Sequence, residues 1–123
     1  MTMKLIIRLF SIAALSMLFV TTAFSQLRNT QEVEIKTSAQ CPMCKESIEK
    51  MLTFERGVNH ALLDMETKKV VVKYNSRRTD PEILRKAITR LGYDADEMNG
   101  DSEAYANLPA CCKKPDDPAH IGH

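Results

Sequence analysis

Val33 and Ile35 alternate with Glu32, Glu34 and Lys36, a period of two that predicts a half-buried strand ending near Ser38. From Pro42 to Phe54 the period lengthens. Ile48, Met51 and Leu52 recur at helical spacing, Lys45, Glu46, Glu49 and Lys50 take the opposite face, and Gly57 ends the helix. Alternation then returns twice. Ala61, Leu63 and Met65 share one face of the run from Val58 to Met65, and Val70, Val72 and Tyr74 share one face of the run from Lys69 to Tyr74. The short link Glu66-Thr67-Lys68 between them predicts an antiparallel hairpin. Thr79 or Asp80 caps a second helix, with Pro81 at its first position and Leu84, Ile88 and Leu91 as its buried stripe. Gly92 closes that helix, and Tyr93 to Asp96 suits a short last strand.

The predicted order over residues 31–97 is therefore βαββαβ. It specifies an α+β fold of the ferredoxin-like kind, a sandwich in which two helices cover one face of a four-stranded antiparallel sheet. Residues 98–123 carry Gly100, Pro109, Pro115, Pro118 and Gly122 and no periodic apolar pattern, so a flexible C-terminal tail is expected there. At the other end, Lys4 and Arg8 flank an almost wholly apolar run from Leu9 to Phe24 that closes on Ala23-Phe24-Ser25. The run falls short of the roughly 20 residues of a spanning helix, and its ending suits signal-peptidase cleavage before Gln26. Residues 1–25 are read as a signal peptide and 26–30 as a linker, which makes the chain an exported protein, periplasmic or secreted.

Export changes the charge and the meaning of the cysteines. Loss of Lys4 and Arg8 takes the 17 basic and 16 acidic residues of the whole chain to 15 and 16. A near-neutral chain of this kind has no electrostatic footprint for nucleic acid. In an oxidising compartment its 4 cysteines can form two disulfides by any of three pairings.

The candidate chemistry centres on Cys41-Pro42-Met43-Cys44, between the first strand and the first helix. Two sulfurs so spaced can converge on one soft metal ion or close a strained disulfide. This C-x-x-C within its βαββαβ pattern, with Ile48 and Leu52, Gly57-Val58 and Leu91-Gly92-Tyr93, resembles the heavy-metal-associated domain family of copper chaperones, metal-pumping ATPases and periplasmic mercury-binding proteins. The resemblance covers about residues 31–97. It implies that Cys41 and Cys44 bind the metal and that Tyr93 lies beside the site. It also implies exchange with a metal-transporting membrane protein or another carrier, with no substrate bond made or broken and hence no enzyme activity. A monomer and a metal-bridged dimer both remain open. The family usually carries Met two positions before the first cysteine; Ala39 stands there, followed by Gln40, so Met43 is the residue expected to support the loop.

Cu(I) is satisfied by two thiolates in a near-linear arrangement, whereas Zn(II) prefers a tetrahedron of four ligands. Two exposed sulfurs thus point to Cu(I), with Hg(II) as the alternative cargo. Zn(II) fits less well, because Gln40 is not the acidic residue that zinc-handling members often place before the first cysteine. The helix N-terminus favours the thiolate form. The tail adds Cys111, Cys112, His120 and His123, which are either auxiliary ligands that complete the coordination of an ion at Cys41 and Cys44, or oxidised cysteines and surface histidines. His60 alternates out of phase with Ala61 and Leu63 and is read as a solvated strand residue. A rival class is the thiol-disulfide oxidoreductases, which the Cys-Pro-x-Cys form also resembles. Their fold needs a later proline facing the thiols, and Pro81 instead opens a helix.

Overall fold

The computed structural model describes residues 2–8 and 29–121. The chain divides into two compact units, Met1–Thr30 and Gln31–His123. In the first, residues 2–8 are helical and exposed; the apolar run expected as a signal segment and its cleavage point lie outside the described residues. Among the described residues no helix is long and apolar enough to cross a membrane.

Residues 30–112 contain β1 (Thr30–Lys36), α1 (Pro42–Phe54), β2 (Val58–Asp64), β3 (Lys69–Asn75), α2 (Pro81–Arg90), α3 (Ser102–Ala106) and a 3-10 turn at Ala110–Cys112. The three strands form one sheet in the order β1-β3-β2. In the antiparallel β2–β3 pair Ala61 faces Val72 and Leu63 faces Val70. These inward positions are buried together with Ile35 of β1, against Ile48 and Leu52 of α1 and Leu84, Ala87 and Ile88 of α2. The periods read along the chain therefore select the core, because only one face of each strand and one stripe of each helix can leave water. Asp80, not Thr79, caps α2: its carboxylate accepts the Ile83 N–H at 3.0 Å, worth about 1 kcal/mol in such positions.

β2 is an edge strand, and α1 reaches over it. Glu49 Oε1 accepts the Leu63 N–H at 2.8 Å, and Lys45 Nζ donates to the Leu63 carbonyl at 2.8 Å. The thiol loop and the sheet edge are thereby tied to the same helix.

The expected fourth strand is reduced to isolated bridges, Thr37 with Ala95 and Ala95 with Met98. The reason lies at Asp96, whose φ of 51° is left-handed and turns the chain back on itself. Ala95 and Met98 then exchange both backbone hydrogen bonds, at 2.9 and 3.0 Å. Asp96 fastens this turn to β1 instead. Its N–H donates to the Lys36 carbonyl at 2.8 Å, its carboxylate accepts the Lys36 N–H at 2.9 Å, and it pairs with Arg85 at 2.7 Å.

The segment after Met98, expected to be flexible, folds back onto the domain. Gly92 and Gly100 lie against each other so closely that a Cβ at Gly100 would overlap the Gly92 carbonyl, and a Cβ at Gly92 would sit 2.6 Å from the Tyr105 nitrogen. Asp94 accepts the Gly100 N–H at 2.9 Å and pairs with Lys114 at 2.7 Å. Tyr105 donates its hydroxyl to Asp117 at 2.7 Å and accepts the Lys114 N–H at 3.0 Å. Polar side chains and glycine contacts order this segment, together with the burial of Cys112; none of these produces an apolar period.

The Gly92–Gly100 contact predicts that Gly100→Ala, by forcing a methyl group into packed backbone, destabilises the domain by roughly 1–3 kcal/mol. A thermal melt of the reduced chain checks this, with an unchanged midpoint as the contrary result.

Candidate metal centre

Cys41 is the N-cap of α1, in extended backbone with φ −143° and ψ 167°, and its side chain makes no capping hydrogen bond. An N-cap side chain ordinarily accepts one of the helix's orphan N–H groups. Here the Cys44 and Lys45 N–H groups donate instead to the Cys41 carbonyl, at 3.0 and 3.2 Å. The Cys41 sulfur is left free for other partners.

The loop before it is held by the β2–β3 turn. Ala39 is buried and donates its N–H to Thr37 Oγ1 at 3.3 Å. Thr37 Oγ1 donates to the Lys68 carbonyl at 3.1 Å, and Lys68 Nζ donates to Gln40 Oε1 at 2.8 Å. Met43, expected to support the loop, is 51% exposed. Position 43 falls on the outward side of the first helical turn, so the hairpin turn does the work expected of it.

The folded-back tail brings its two cysteines to this loop. Cys41 Sγ lies 3.2 Å from Cys44 Sγ, 3.2 Å from Cys111 Sγ and 3.6 Å from Cys112 Sγ. Cys111 Sγ and Cys112 Sγ are 3.9 Å apart. All four cysteines are free, and the sulfurs of Cys41, Cys111 and Cys112 lie within 4.8 Å of one another. Of the two sulfurs expected to be exposed, Cys41 is half-exposed and Cys44 is corrected to fully buried, at 0% exposure; Cys112 of the tail is buried as well. Tyr93 is buried beside them, with its hydroxyl against the Cys112 and Cys44 thiols. His120 does not join the group, being half-buried with its Nδ1 lacking a hydrogen-bond partner. His123 lies outside the described residues, and His60 is exposed on β2.

Electrostatics single out Cys41. Burial works to raise its pKa, but the Cys111 and Cys44 thiols, the Cys44 amide and the Cys112 thiol together bring it down to about 7. While Cys41 is a thiol it donates to Cys111; once ionised it accepts from its neighbours. Cys112 moves the other way, pushed up chiefly by burial and then by its contact with Cys44. Burial, with the neighbouring Cys112 and Cys44 sulfurs, likewise holds the Tyr93 hydroxyl protonated. One thiolate ringed by thiols and a phenol is a site from which a thiophilic cation can displace further thiol protons to water.

Residues 33–94 match the heavy-metal-associated domain, and the chain belongs to that family. Over 78 residues it is 35% identical to a copper-exporting P-type ATPase of Staphylococcus epidermidis, a match that takes in 63% of this chain and 10% of the ATPase. The chain thus spans about a tenth of the length of the curated relatives it matches. Among solved structures it is similar to the CopZ metallochaperone, with TM-score 0.51 and 26% identity over 53% of this chain and 98% of that one. It is also similar to oxidised MerP from Ralstonia metallidurans CH34, with TM-score 0.53 and 26% identity over 55% of this chain and 94% of that one. The family match ends before Cys111 and Cys112, so the tail thiols are an addition to the family's domain.

What the sequence did not point to is the clamp: Asp94 with Lys114, Tyr105 with Asp117, and the Gly92–Gly100 contact. The two glycines on either side of the short turn were the available signal.

Because the folded-state pKa of Cys41 lies below its ordinary 9.0, ionisation there adds stability that is fully present above about pH 9 and is lost as pH falls through about 7. Cys112, raised by burial, contributes in the opposite sense, its stabilisation fading as rising pH forces it to ionise. The reduced, metal-free chain is therefore expected to gain stability from pH 7 to 9. Ultraviolet thiolate absorbance should show one ionisation near pH 7 that Cys41→Ser removes; persistence of that step in the variant would assign it elsewhere.

Proposed function

We propose that the chain is an exported carrier that binds Cu(I) through Cys41 and Cys44 and exchanges it with a metal-transporting membrane protein or a second carrier. The observation that carries this reading is the paired sulfurs, 3.2 Å apart at the head of α1, in a domain of the heavy-metal-associated family. A monovalent soft ion needs few ligands, and thiolate is the ligand it prefers. Likeness to the copper-exporting ATPase and to the CopZ metallochaperone supports copper as cargo. The relationship to a transporter domain supports handover to such a transporter. Export rests on the cationic, then apolar, start of the chain and its Ala23-Phe24-Ser25 ending.

Hg(II) is the competing cargo, since it is equally content with two sulfurs and the domain is also similar to MerP. The carrier reading requires reduced thiols, in agreement with four free cysteines, and no reaction on a substrate is assigned to it.

Cys41→Ser is expected to abolish stoichiometric Cu(I) binding with the fold retained, since its half-exposed sulfur makes no capping bond. Anaerobic titration with Cu(I), with Hg(II) and Zn(II) as competitors, measures this alongside circular dichroism of the variant. Failure of the reduced parent chain to bind any of the three ions would end the proposal.

A further inference from the structure

The family's domain does not explain why two tail cysteines are driven into the thiol loop. Cys111 and Cys112 are adjacent on a 3-10 turn, yet both sulfurs approach Cys41, at 3.2 and 3.6 Å. A cysteine serving only as core filler packs its sulfur against carbon. Here the sulfurs of Cys41, Cys111 and Cys112 cluster within 4.8 Å of one another, Cys44 adds its sulfur 3.2 Å from Cys41, and the Tyr93 hydroxyl is a polar neighbour of Cys44 and Cys112. The tail is also held in that position by contacts that involve no sulfur: Asp94 to Lys114 at 2.7 Å, Tyr105 to Asp117 at 2.7 Å, and the close approach of Gly100 to Gly92.

We infer that Cys111 and Cys112 are metal ligands, and that the tail closes a site of more than two sulfurs over an ion held by Cys41 and Cys44. The inference rests on the carrier reading above and goes beyond it by assigning the tail. A thiophilic cation with bonds of about 2.3 Å spaces its sulfurs about 3.8 Å apart in a tetrahedron and about 4 Å apart in a plane. The separations of Cys41 from Cys44, Cys111 and Cys112, and of Cys111 from Cys112, run from 3.2 to 3.9 Å and need to open by less than about 1 Å; Cys41, Cys111 and Cys112 form the mutually close set, which Cys44 joins through Cys41. Charge is accommodated by the Tyr93 hydroxyl, which can donate to the Cys44 and Cys112 sulfurs once they are ionised.

Closure has a consequence for handover. A partner's cysteines take an ion by adding a sulfur to it, and the tail thiols stand where that sulfur must enter. Cys44 and Cys112 are buried whereas Cys41 and Cys111 are half-exposed, so a partner's sulfur meets the half-exposed pair first and the tail lifts to complete the exchange. The tail is an internal competitor for the cargo: it lowers the rate of loss to stray thiols and yields to a partner able to displace it.

The test uses the full reduced chain loaded with Cu(I) without air, compared with Cys111→Ser and with the double variant Cys111→Ser, Cys112→Ser. X-ray absorption counts the sulfurs around copper, and a chromophoric Cu(I) chelator measures retention. Expected are more than two sulfurs in the parent, fewer in Cys111→Ser, and retention lowered at least about tenfold, since even partners outside the coordination sphere cost that much. Cys111 is the half-exposed member of the pair, so the single variant keeps the test valid if loss of the buried Cys112 thiol unfolds the double one. Two-sulfur copper in the parent with unchanged retention in Cys111→Ser would overturn the inference and leave the carrier reading standing. No copper bound by the parent would overturn both.

Discussion

Burial of the Cys112 thiol against Cys44 and Tyr93 couples the tail to the thiol loop, and most of what distinguishes this domain follows from it. A fully buried thiol gains the transfer free energy of its apolar surface only while the chain on either side is held down. The polar clamp supplies that restraint, since Asp94 and Tyr105 each hold two groups. Neither half suffices alone. Exposed ion pairs of this type contribute little singly, and one buried sulfur does not order twenty residues against their conformational entropy.

The β-strand and helix periods were legible because each element has one face toward a single core, and Ile35, Ile48, Leu63, Val72 and Leu84 are all buried where that reading puts them. The site was legible in part. The four cysteines were visible as candidates, but whether the tail reaches the loop is decided by hydrogen bonds between Asp94, Gly100, Tyr105, Lys114 and Asp117, which leave no periodic trace. The last strand misled for a related reason: Asp96 takes a left-handed conformation that its composition permits and its neighbours do not announce. Met43 misled because a residue beside a ligand was read as packing, when the first turn of α1 directs it to solvent.

Sulfur chemistry and helix geometry reinforce each other at Cys41. The first N–H groups of the helix turn to the Cys41 carbonyl and leave its side chain without a capping bond, and the surrounding thiols then lower the cost of charge on the uncommitted sulfur. A thiol so placed loses its proton near neutrality through hydrogen bonds from neighbouring thiols and an amide rather than through an ion pair.

The contacts of Lys45 and Glu49 with Leu63 bear on how the molecule behaves in company. A sheet border with open N–H and C=O groups is a template on which a second chain can lengthen the sheet and start an aggregate. By occupying both main-chain groups of Leu63, near the end of β2, the helix that carries the cysteines also denies neighbouring copies that foothold.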